Sequence, residues 1–491
     1  MSDGEILLRL GLWWLLFLAV AGIAIRIQST SKTGTLSIIP NNQSYYTGVM
    51  AAGLALLYLF YLSPAVGTGD AAFYNTQIES GDLDGQYIHY GHYLLGRFVY
   101  LIFPVHIDLL MNLWAALLGI ASVVLIYQIF LSLNQDHVVA FLCALGFGAS
   151  AVAIYSFVYS EVYVTGLFLC VFAYWLLIKN QNLLAGLCFG LAVLVSILSI
   201  VFGPLFLYRL VSANRLRWPA ILACALGTAI VVGPFSLFYL DGLLYGDRGL
   251  LTGAGATSSF IKMVSGWFAS IKILIGSFSI LAPLSFMALV ALAVMHGVRK
   301  SLVLIPVLLA VVVHVLTAGA LLEWGLDLLL TPLLFLPIIF LGKALKDSDT
   351  LAWSYPRFKT VLALAVLFNT ASGLSVWSGT VLAWPKNMLQ QYESLSEHFS
   401  EDELSILKPL GTFHEAGMFL RAHNRPYDIA AIYDDFHADK HGHTFIILNP
   451  DLYAELLSSL PEGWQIVEYE AANPVWLLRY SSALAASSTH E

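Results

Sequence analysis

Long apolar segments alternate with short polar connections along residues 1–385. An α-helix rises about 1.5 Å per residue, so about 20 apolar residues cross a hydrocarbon core of about 30 Å. By this length rule we predict a membrane all-α fold, a polytopic bundle of about twelve transmembrane helices. Ten of these helices are single segments: 7–27, 47–66, 107–131, 138–157, 163–178, 218–240, 278–297, 301–320, 327–345 and 359–380.

The apolar run from Leu183 to Val211 supplies the other two helices. It is too long for one untilted span, and small hydroxyl residues interrupt it at Ser196–Ser199. We therefore predict two short helices that meet at this interruption on the outer face. The first span, Leu7–Ile27, contains Ala19-Val20-Ala21, which resembles a signal-peptidase site, but the acidic leader MSDGE favours a retained helix.

One segment after the second predicted span cannot itself cross a membrane. Residues 67–104 contain more ionisable side chains than the hydrocarbon core of a membrane tolerates. Their acidic, basic and histidine residues are Asp70, Glu79, Asp82, Asp84, His89, His92 and Arg97. The tail His92–Phe103 is rich in Leu, Tyr and Phe and too short to span, so we predict a helix along the membrane surface. We interpret residues 67–104 as an outer catalytic loop.

The last segment of the chain has a different charge balance. Residues 1–385 hold 17 basic and 15 acidic side chains, whereas residues 386–491 hold 6 basic and 16 acidic ones. This shift predicts a separate, soluble C-terminal domain. Its hydrophobic periodicity predicts a small α/β domain with helices at 412–423 and 450–459 and strands at 429–433, 444–448, 464–469 and 475–480.

Composition supports a membrane protein and excludes several other classes. The 491 residues are 59% hydrophobic and 11% charged, whereas soluble domains carry about 25% charged residues. All four cysteines lie inside apolar runs without the spacing of metal ligands, so no disulfide or zinc framework is predicted. No basic stretch with interleaved aromatic residues occurs, so nucleic acid is not an expected partner.

The distribution of basic residues predicts the orientation in the membrane. With the predicted spans, twelve lysines and arginines fall on one side, which the positive-inside rule assigns to the cytoplasm: Arg26, Lys32, Lys179, Arg209, Arg215, Arg217, Arg299, Lys300, Lys343, Lys346, Arg357 and Lys359. The catalytic loop, the connection at residues 160–163, the loop 241–277 and the C-terminal domain then share the outer face.

A carboxylate at the outer mouth of such a bundle suits one reaction well. It can remove the proton of an acceptor hydroxyl that attacks an activated sugar. A lipid phosphate departs as a stable anion without an acid, so one base and nearby cations suffice. Asp70 fits as the base, and the outer-face cations are Arg97, Arg248, Lys262 and Lys272. The alternative for Asp70 is an N-cap of a helix that begins at Ala71.

An ordered set of motifs resembles a known superfamily. Gly69-Asp70-x-x-Phe73 is followed by Gly91-His92-Tyr93-x-Leu95-Gly96-Arg97-Phe98, and Ser160-Glu161-Val162-Tyr163 begins a later helix. This set, over approximately residues 65–345, resembles the protein O-mannosyltransferase and aminoarabinose-transferase superfamily of membrane glycosyltransferases, and in particular its less characterised multi-pass branch.

The resemblance implies a polyprenyl-phosphate sugar as donor and Asp70 as catalytic base. It also implies substrate-binding roles for residues on the outer face: Glu161, Tyr163, His92, Arg97, Arg248 and Lys262. His92 has an alternative role as an interfacial anchor, and Glu161 a structural one at a helix start. The chain departs from the pattern in two ways. Ala71 and Ala72 follow Asp70 where relatives often have a second acidic residue, and the loop follows the second span rather than the first.

We therefore expect an integral-membrane glycosyltransferase that inverts the anomeric centre, is similar to mannosyltransferases and resides in a bacterial inner membrane with its C-terminal domain outside. The acceptor can be a protein, a lipid or a glycan. No cofactor is assigned, a role for a divalent ion stays open, and the Asp/His-rich tract 434–443 favours an exposed loop over a metal site. The alternatives are a multi-pass transporter or flippase of lipid-linked substrates, and a non-catalytic anchor.

Overall fold

A computed structural model describes the chain over the ranges 43–62, 71–81, 89–160, 162–212, 218–236, 281–297, 304–305, 331–377, 399–410, 444–448, 464–469 and 475–480, and at residues 392, 395, 416, 419, 420, 423, 432 and 452. The predicted first span, 7–27, and the tract 434–443 lie outside these ranges. Most of the predicted span 301–320 lies outside them as well. The number of twelve spans therefore stays a prediction.

The described part is mostly helical. Its helices are α1 (Gln43–Tyr61), α2 (Ala71–Ser80), α3 (Tyr90–Ile102), α4 (Ile107–Asn134), α5 (His137–Gly148), α6 (Ala151–Val158), α7 (Val162–Ile178), α8 (Asn182–Val195), α9 (Gly203–Ser212), α10 (Trp218–Val232), α11 (Leu281–His296), α12 (Leu336–Asp347), α13 (Ser354–Trp377) and α14 (Glu401–Ile406). Its strands are β1 (Lys408–Leu410), β2 (Thr444–Ile447), β3 (Trp464–Tyr469) and β4 (Val475–Tyr480).

Several of these helices are suited to a membrane. Within the described ranges, three are long and apolar enough to cross it, namely Gln43–Tyr61, Ile107–Asn134 and Trp218–Phe235. Further apolar helices of 10–17 residues include Val162–Ile178 and Asn182–Val195. Helix α10 exposes Leu222, Leu226 and Ile230 at four-residue intervals, which is the pattern of a face that contacts lipid. The described part of the chain therefore contains several apolar helices with the length and composition of membrane spans.

The segment predicted as a span at 138–157 is long and apolar enough to be one, but it is bent. Helices α5 and α6 occupy this segment and meet at an angle of 62°. Ser150 causes the break, because its Oγ accepts the N–H of Ala153 and caps the start of α6, and its hydroxyl also donates to the carbonyl of Phe147 at 2.8 Å. One serine therefore serves the last turn of α5 and the first turn of α6.

The predicted interruption of the run 183–211 is confirmed. Helix α8 ends at Val195, Ser196 is extended (φ −151°, ψ 119°), and a short 3₁₀ helix at Ile197–Phe202 leads into α9. We call Val195–Ser199 the serine break. Since a serine hydroxyl competes for backbone hydrogen bonds, it favours such an interruption of a helix.

Two compact units make up the chain. The first combines Met1–Leu62, Leu83–Val99 and Asn112–Leu382, and the second combines Ser63–Asp82, Tyr100–Met111 and Ala383–Glu491. The strands lie in the second unit. They form one sheet in the order β1-β2-β4-β3, with β1 parallel to β2 and the other pairs antiparallel. The strands predicted at 444–448, 464–469 and 475–480 are present, whereas β1 was not predicted.

The sheet is covered on both faces. Successive residues are buried along β2, at Phe445–Ile447, and along β4, at Trp476–Leu478. Because neighbouring side chains of a strand point to opposite faces, this pattern requires apolar contacts on each side. The buried residues of β2 and β4 belong to one hydrophobic cluster. This cluster also includes Phe419 and Leu420 from the terminal segment, and Ala71, the first residue of α2.

A polar cluster joins the start of α5 to α13 within the first unit. Asp136 is the N-cap of α5, and its Oδ1 accepts the N–H groups of Val138 (2.9 Å) and Val139 (3.0 Å). Its Oδ2 accepts the hydroxyl of Tyr355 (2.6 Å) and lies 2.8 Å from Nζ of Lys359. Both carboxylate oxygens of Asp136 are therefore used, one for the helix start and one for the contact with α13.

Replacement of Asp136 by asparagine should destabilise the folded chain by about 2 kcal/mol at pH 7, because Lys359 then keeps a partly buried charge without its partner. The side chains of Asp136 and Lys359 are only 10% and 23% exposed, so solvent screens the pair weakly. An asparagine Oδ1 can still cap α5, so the change removes mainly the α13 contact. Thermal unfolding of the purified chain in lipid nanodiscs measures the loss.

The effect of this substitution should depend on pH. Burial raises the pKa of Asp136, but Lys359, Tyr355 and the backbone N–H of Val139 outweigh burial, and the net shift is downward from 3.8. A pKa that is lower in the folded state stabilises it above the ordinary value, and this stabilisation is lost as the pH falls through the lowered value. The difference in the free energy of unfolding between the native chain and the variant should thus be constant from pH 7 to 5 and shrink below about pH 4.

Asp349→Asn, at an exposed residue, is the control. Equal losses of stability in both variants would contradict the role of Asp136.

Candidate active site

The sequence-predicted site residues divide into two groups. Asp70, Glu161, Arg248 and Lys262 lie outside the described residues. His92 and Arg97 lie on α3, and Tyr163 lies in the first turn of α7. The described part therefore gives the positions of α3 and α7. For Asp70 and Glu161 it gives only the positions of their sequence neighbours, Ala71 and Ser160.

A helix is present as α3 where the sequence predicts one at 92–103. Its exposed positions include Leu94, Phe98, Leu101 and Ile102, which lie on one face at helical spacing. The opposite face is buried and contains Gly91, His92, Tyr93, Gly96 and Val99. Such an apolar outward face on a short helix is typical of a helix that lies in the membrane interface.

The beginning of α3 packs tightly against the serine break. A Cβ built on Gly91 would lie 2.7 Å from the backbone nitrogen of Val195, so only glycine fits there. Two residues earlier, Nδ1 of His89 lies 2.8 Å from the carbonyl oxygen of Val195. A helix that ends leaves its last carbonyls without intrahelical donors, and the imidazole N–H of His89 can satisfy that of Val195.

His92 is buried beside this contact, with 2% of its surface exposed. Burial, together with the nearby His89, lowers the pKa of His92 to about 3. His92 is therefore a neutral imidazole at physiological pH. A neutral imidazole can donate or accept a hydrogen bond to a sugar or phosphate oxygen, but it does not contribute positive charge to a phosphate site.

Helix α7 reaches the same serine break from another side. A Cβ built on Gly166 would lie 3.1 Å from Oγ of Ser199 and 3.6 Å from Cβ of Ser196. Tyr163 is buried and precedes Gly166 by one turn. The structure thus brings the helix of His92 and the helix of Tyr163 to one place, the interruption between α8 and the 3₁₀ helix.

Buried hydroxyl groups collect near this junction. Thr165 is 2% exposed, and Ser196 and Ser199 are fully buried. Oγ of Ser199 donates to the carbonyl of Ala192 at 3.0 Å, whereas the hydroxyls of Thr165 and Ser196 have no partner in the described part of the chain. Polar groups in an apolar surrounding are costly unless they are hydrogen-bonded, so such groups are typical of places that hold water or polar ligand atoms.

Arg97 is the only lysine or arginine in the sequence of α3. It is partly exposed and lies one turn beyond the buried Tyr93. This border position lets the long side chain keep its apolar stem against protein or lipid while the guanidinium reaches a polar surface. Arg97 is thus suited to contact an anionic headgroup at the membrane interface.

Sequence reasoning missed three polar residues that tie the loops to α4. Asn75 on α2 donates from Nδ2 to Oδ1 of Asp108 at 2.9 Å. Oδ1 of Asn112 accepts the backbone N–H of Ser160, the residue before Glu161, at 2.7 Å. Asp108 and Asn112 both fall at the start of a segment that was predicted as a span. An acidic and an amide residue four positions apart in an otherwise apolar run were the available signal.

The prediction of a helix immediately after Asp70 is confirmed, since α2 begins at Ala71. Within the described ranges, no group of three or more His, Cys, Asp or Glu side chains could hold a metal ion.

Comparison with known proteins identifies structural neighbours. The chain is similar to ArnT from Cupriavidus metallidurans bound to undecaprenyl phosphate, with a TM-score of 0.59 and 11% identity over 89% of this chain and 99% of that one. The apo state of ArnT has a TM-score of 0.54 at 11% identity over 89% and 98% of the two chains. An oligosaccharyltransferase from Archaeoglobus fulgidus, solved with Zn and sulfate, has a TM-score of 0.53 at 12% identity over 88% and 73%.

No protein-family model matches the sequence, and no curated protein matches it. At 11–12% identity the structural likeness shows that this chain shares the fold of ArnT and of the oligosaccharyltransferase, which are both GT-C membrane glycosyltransferases. ArnT is an aminoarabinose transferase, so the resemblance that the loop motifs indicate is confirmed at the level of the fold.

Proposed function

We propose that the chain is an integral-membrane glycosyltransferase that moves a hexosyl or pentosyl group from a polyprenyl-phosphate carrier to an acceptor on the extracytoplasmic face. The observation that supports this most is the similarity over 89% of the chain to an ArnT structure that contains undecaprenyl phosphate. The junction of α3, α7 and the serine break adds a second support, because it collects buried polar groups within a mostly apolar helical unit.

The proposed reaction is a single displacement with inversion. The acceptor hydroxyl oxygen attacks the anomeric carbon of the sugar, and the bond from that carbon to the phosphate oxygen breaks. Asp70 takes the hydroxyl proton, and polyprenyl phosphate leaves as an anion with the electron pair. One base is sufficient, since the leaving phosphate needs no proton.

The remaining residues have proposed binding roles. Arg97, Arg248 and Lys262 contact the donor phosphate and stabilise the charge that develops on it as the bond breaks. Neutral His92 donates or accepts a hydrogen bond, and Tyr163 and Glu161 line the cleft for sugar or acceptor. The proposed location is a bacterial inner membrane with the C-terminal domain outside, and the acceptor is a protein, a lipid or a glycan.

Transfer of radiolabel from defined donors tests this proposal. Nanodiscs that contain the purified chain are incubated with undecaprenyl-phosphate-linked hexoses and pentoses, including aminoarabinose, together with a membrane extract that supplies acceptors. We expect label from one donor to move to a fraction that is separated by protease treatment and by organic extraction. Those two steps assign the acceptor to protein, lipid or glycan.

Empty nanodiscs with the same extract measure transfer by other enzymes. Absence of transfer from every donor, with a chain that is folded by thermal unfolding, would overturn the proposed activity. In that case, counterflow of the same labelled donors across proteoliposomes examines the transporter alternative.

A further inference from the structure

Two of the buried residues of helix α2 lie one turn apart and make different kinds of contact. Its first residue, Ala71, is 1% exposed and belongs to the hydrophobic cluster of the terminal sheet. Its fifth residue, Asn75, is fully buried and donates from Nδ2 to Oδ1 of Asp108. All of these residues belong to the second compact unit.

Asp108 is well suited to receive this hydrogen bond. It is 4% exposed and lies in the first turn of α4, where the positive end of the helix dipole stabilises a carboxylate. The bond from Asn75 is 2.9 Å long and joins an amide donor to a charged acceptor, a type of bond that is stronger than a neutral pair. Removal of Asp108 would take away the acceptor of the buried Asn75 amide, and a buried donor without an acceptor is costly.

The residue before α2 is Asp70, the proposed base. A position directly before a helix moves with the first turn of that helix, since successive Cα atoms are about 3.8 Å apart along the chain. A displacement of about 1 Å at a reacting group can lower a rate by about 100-fold. The hydrophobic contact of Ala71 has no direction, whereas the hydrogen bond of Asn75 is directional and favours one rotation of the helix about its axis.

We propose that Asp108 acts through Asn75 as a positioning residue that orients the N-terminus of α2, and with it Asp70, for transfer. This inference rests on the proposed function. Asp108 itself does not contact the reacting atoms. Its role is to accept the hydrogen bond from Asn75 and so help to hold α2.

An exchange of the two side chains separates positioning from chemistry. Asn75→Leu has a similar shape but no donor, and it should lower kcat at least 10-fold while KM for the donor stays within about 2-fold. Asn75→Asp places two carboxylates together and should have a similar effect. The double variant Asn75→Asp with Asp108→Asn restores an amide-to-carboxylate bond in the opposite direction, and kcat should return to within about 3-fold of the native value.

A second measurement does not depend on activity. Cysteine is introduced at Asp70, and the rate of its reaction with a maleimide is followed in nanodiscs. Of the native cysteines, Cys143, Cys170 and Cys224 are buried and Cys188 is partly buried, so the chain with Asp70 intact gives the background. Asn75→Leu should change the rate at position 70 several-fold, and the exchanged pair should restore it.

These readouts distinguish the two proposals. A native chain without transferase activity, together with labelling rates that change in Asn75→Leu and recover in the exchanged pair, would reject the function and keep the positioning of residue 70. An active native chain whose exchanged pair stays as slow as the single variants would overturn the positioning role. Labelling rates at position 70 that are the same in all backgrounds would overturn it as well.

Discussion

Asp70→Asn is expected to lower transfer from the lipid-linked sugar at least 100-fold without affecting insertion or folding. A general base contributes about 10²–10⁴-fold, and an amide cannot take the proton of the acceptor hydroxyl. Asparagine keeps the size and can still cap a helix that begins at Ala71, so the alternative role of Asp70 as an N-cap predicts little loss. Steady-state transfer with the donor identified by the panel measures the effect.

The control for this substitution lies on α2, the helix that follows Asp70 in the chain. Glu79 is exposed near the end of α2, and Glu79→Gln removes one acidic charge from the outer loop. We expect its kcat to remain within about 2-fold of the native value, since the charge of an exposed side chain nine positions along the chain is screened. Full activity in Asp70→Asn, or equal losses in both variants, would reject Asp70 as the base. Undecaprenyl phosphate should bind Asp70→Asn and the native chain equally well, because the base acts on the acceptor.

Gly186→Val is expected to prevent stable folding of the membrane unit. A Cβ on Gly186 would overlap the carbonyl oxygen of Cys224 on α10, and one on Gly190 would lie 2.9 Å from the carbonyl oxygen of Thr228. Small residues four positions apart let two membrane helices approach at backbone distance. The hydroxyl of Thr228 also donates to the carbonyl of Gly186 at 3.2 Å, and separation of the helices would break this bond.

The expected loss is at least 3 kcal/mol, the upper part of the range for overpacked cores, because backbone rather than a flexible side chain must move. Yield of monodisperse protein and thermal unfolding in detergent measure it. Gly53→Ala is the matched control, since nothing lies within 4 Å of a Cβ at this position in α1. Alanine there should be neutral or stabilising by up to about 1 kcal/mol. A Gly186→Val chain as stable as Gly53→Ala would contradict the close approach of α8 and α10.

Some breaks in the helices could be predicted from sequence and others could not. The run 183–211 had to break because it exceeds one span, and the serines at 196 and 199 marked the place. Residues 138–157 have the length of one span, so length gave no reason to divide them. The role of Ser150 as a cap depends on the φ and ψ angles of one residue, and hydrophobic periodicity does not report those angles.

The candidate site shows a similar limit. Sequence identified α3, the helix start at Ala71 and the helix of Tyr163 from charge density, length and motif. It did not identify Asp108 or Asn112, because both fall in a segment that the length rule assigns to the membrane. Their partners, Asn75 and the N–H of Ser160, are 33 and 48 residues away, and such pairs are set by tertiary packing.

The outward face of α3 has a consequence for how the protein must be assayed. Leu94, Phe98 and Leu101 are 48%, 62% and 65% exposed. Contact of these apolar side chains with lipid acyl chains is more favourable than contact with water. A donor whose tail dissolves in the same layer arrives by lateral diffusion rather than from bulk solution. The donor concentration that determines the rate of transfer is therefore its mole fraction in the lipid. Dilution with inert phospholipid at constant total donor should slow transfer, whereas dilution with buffer should not.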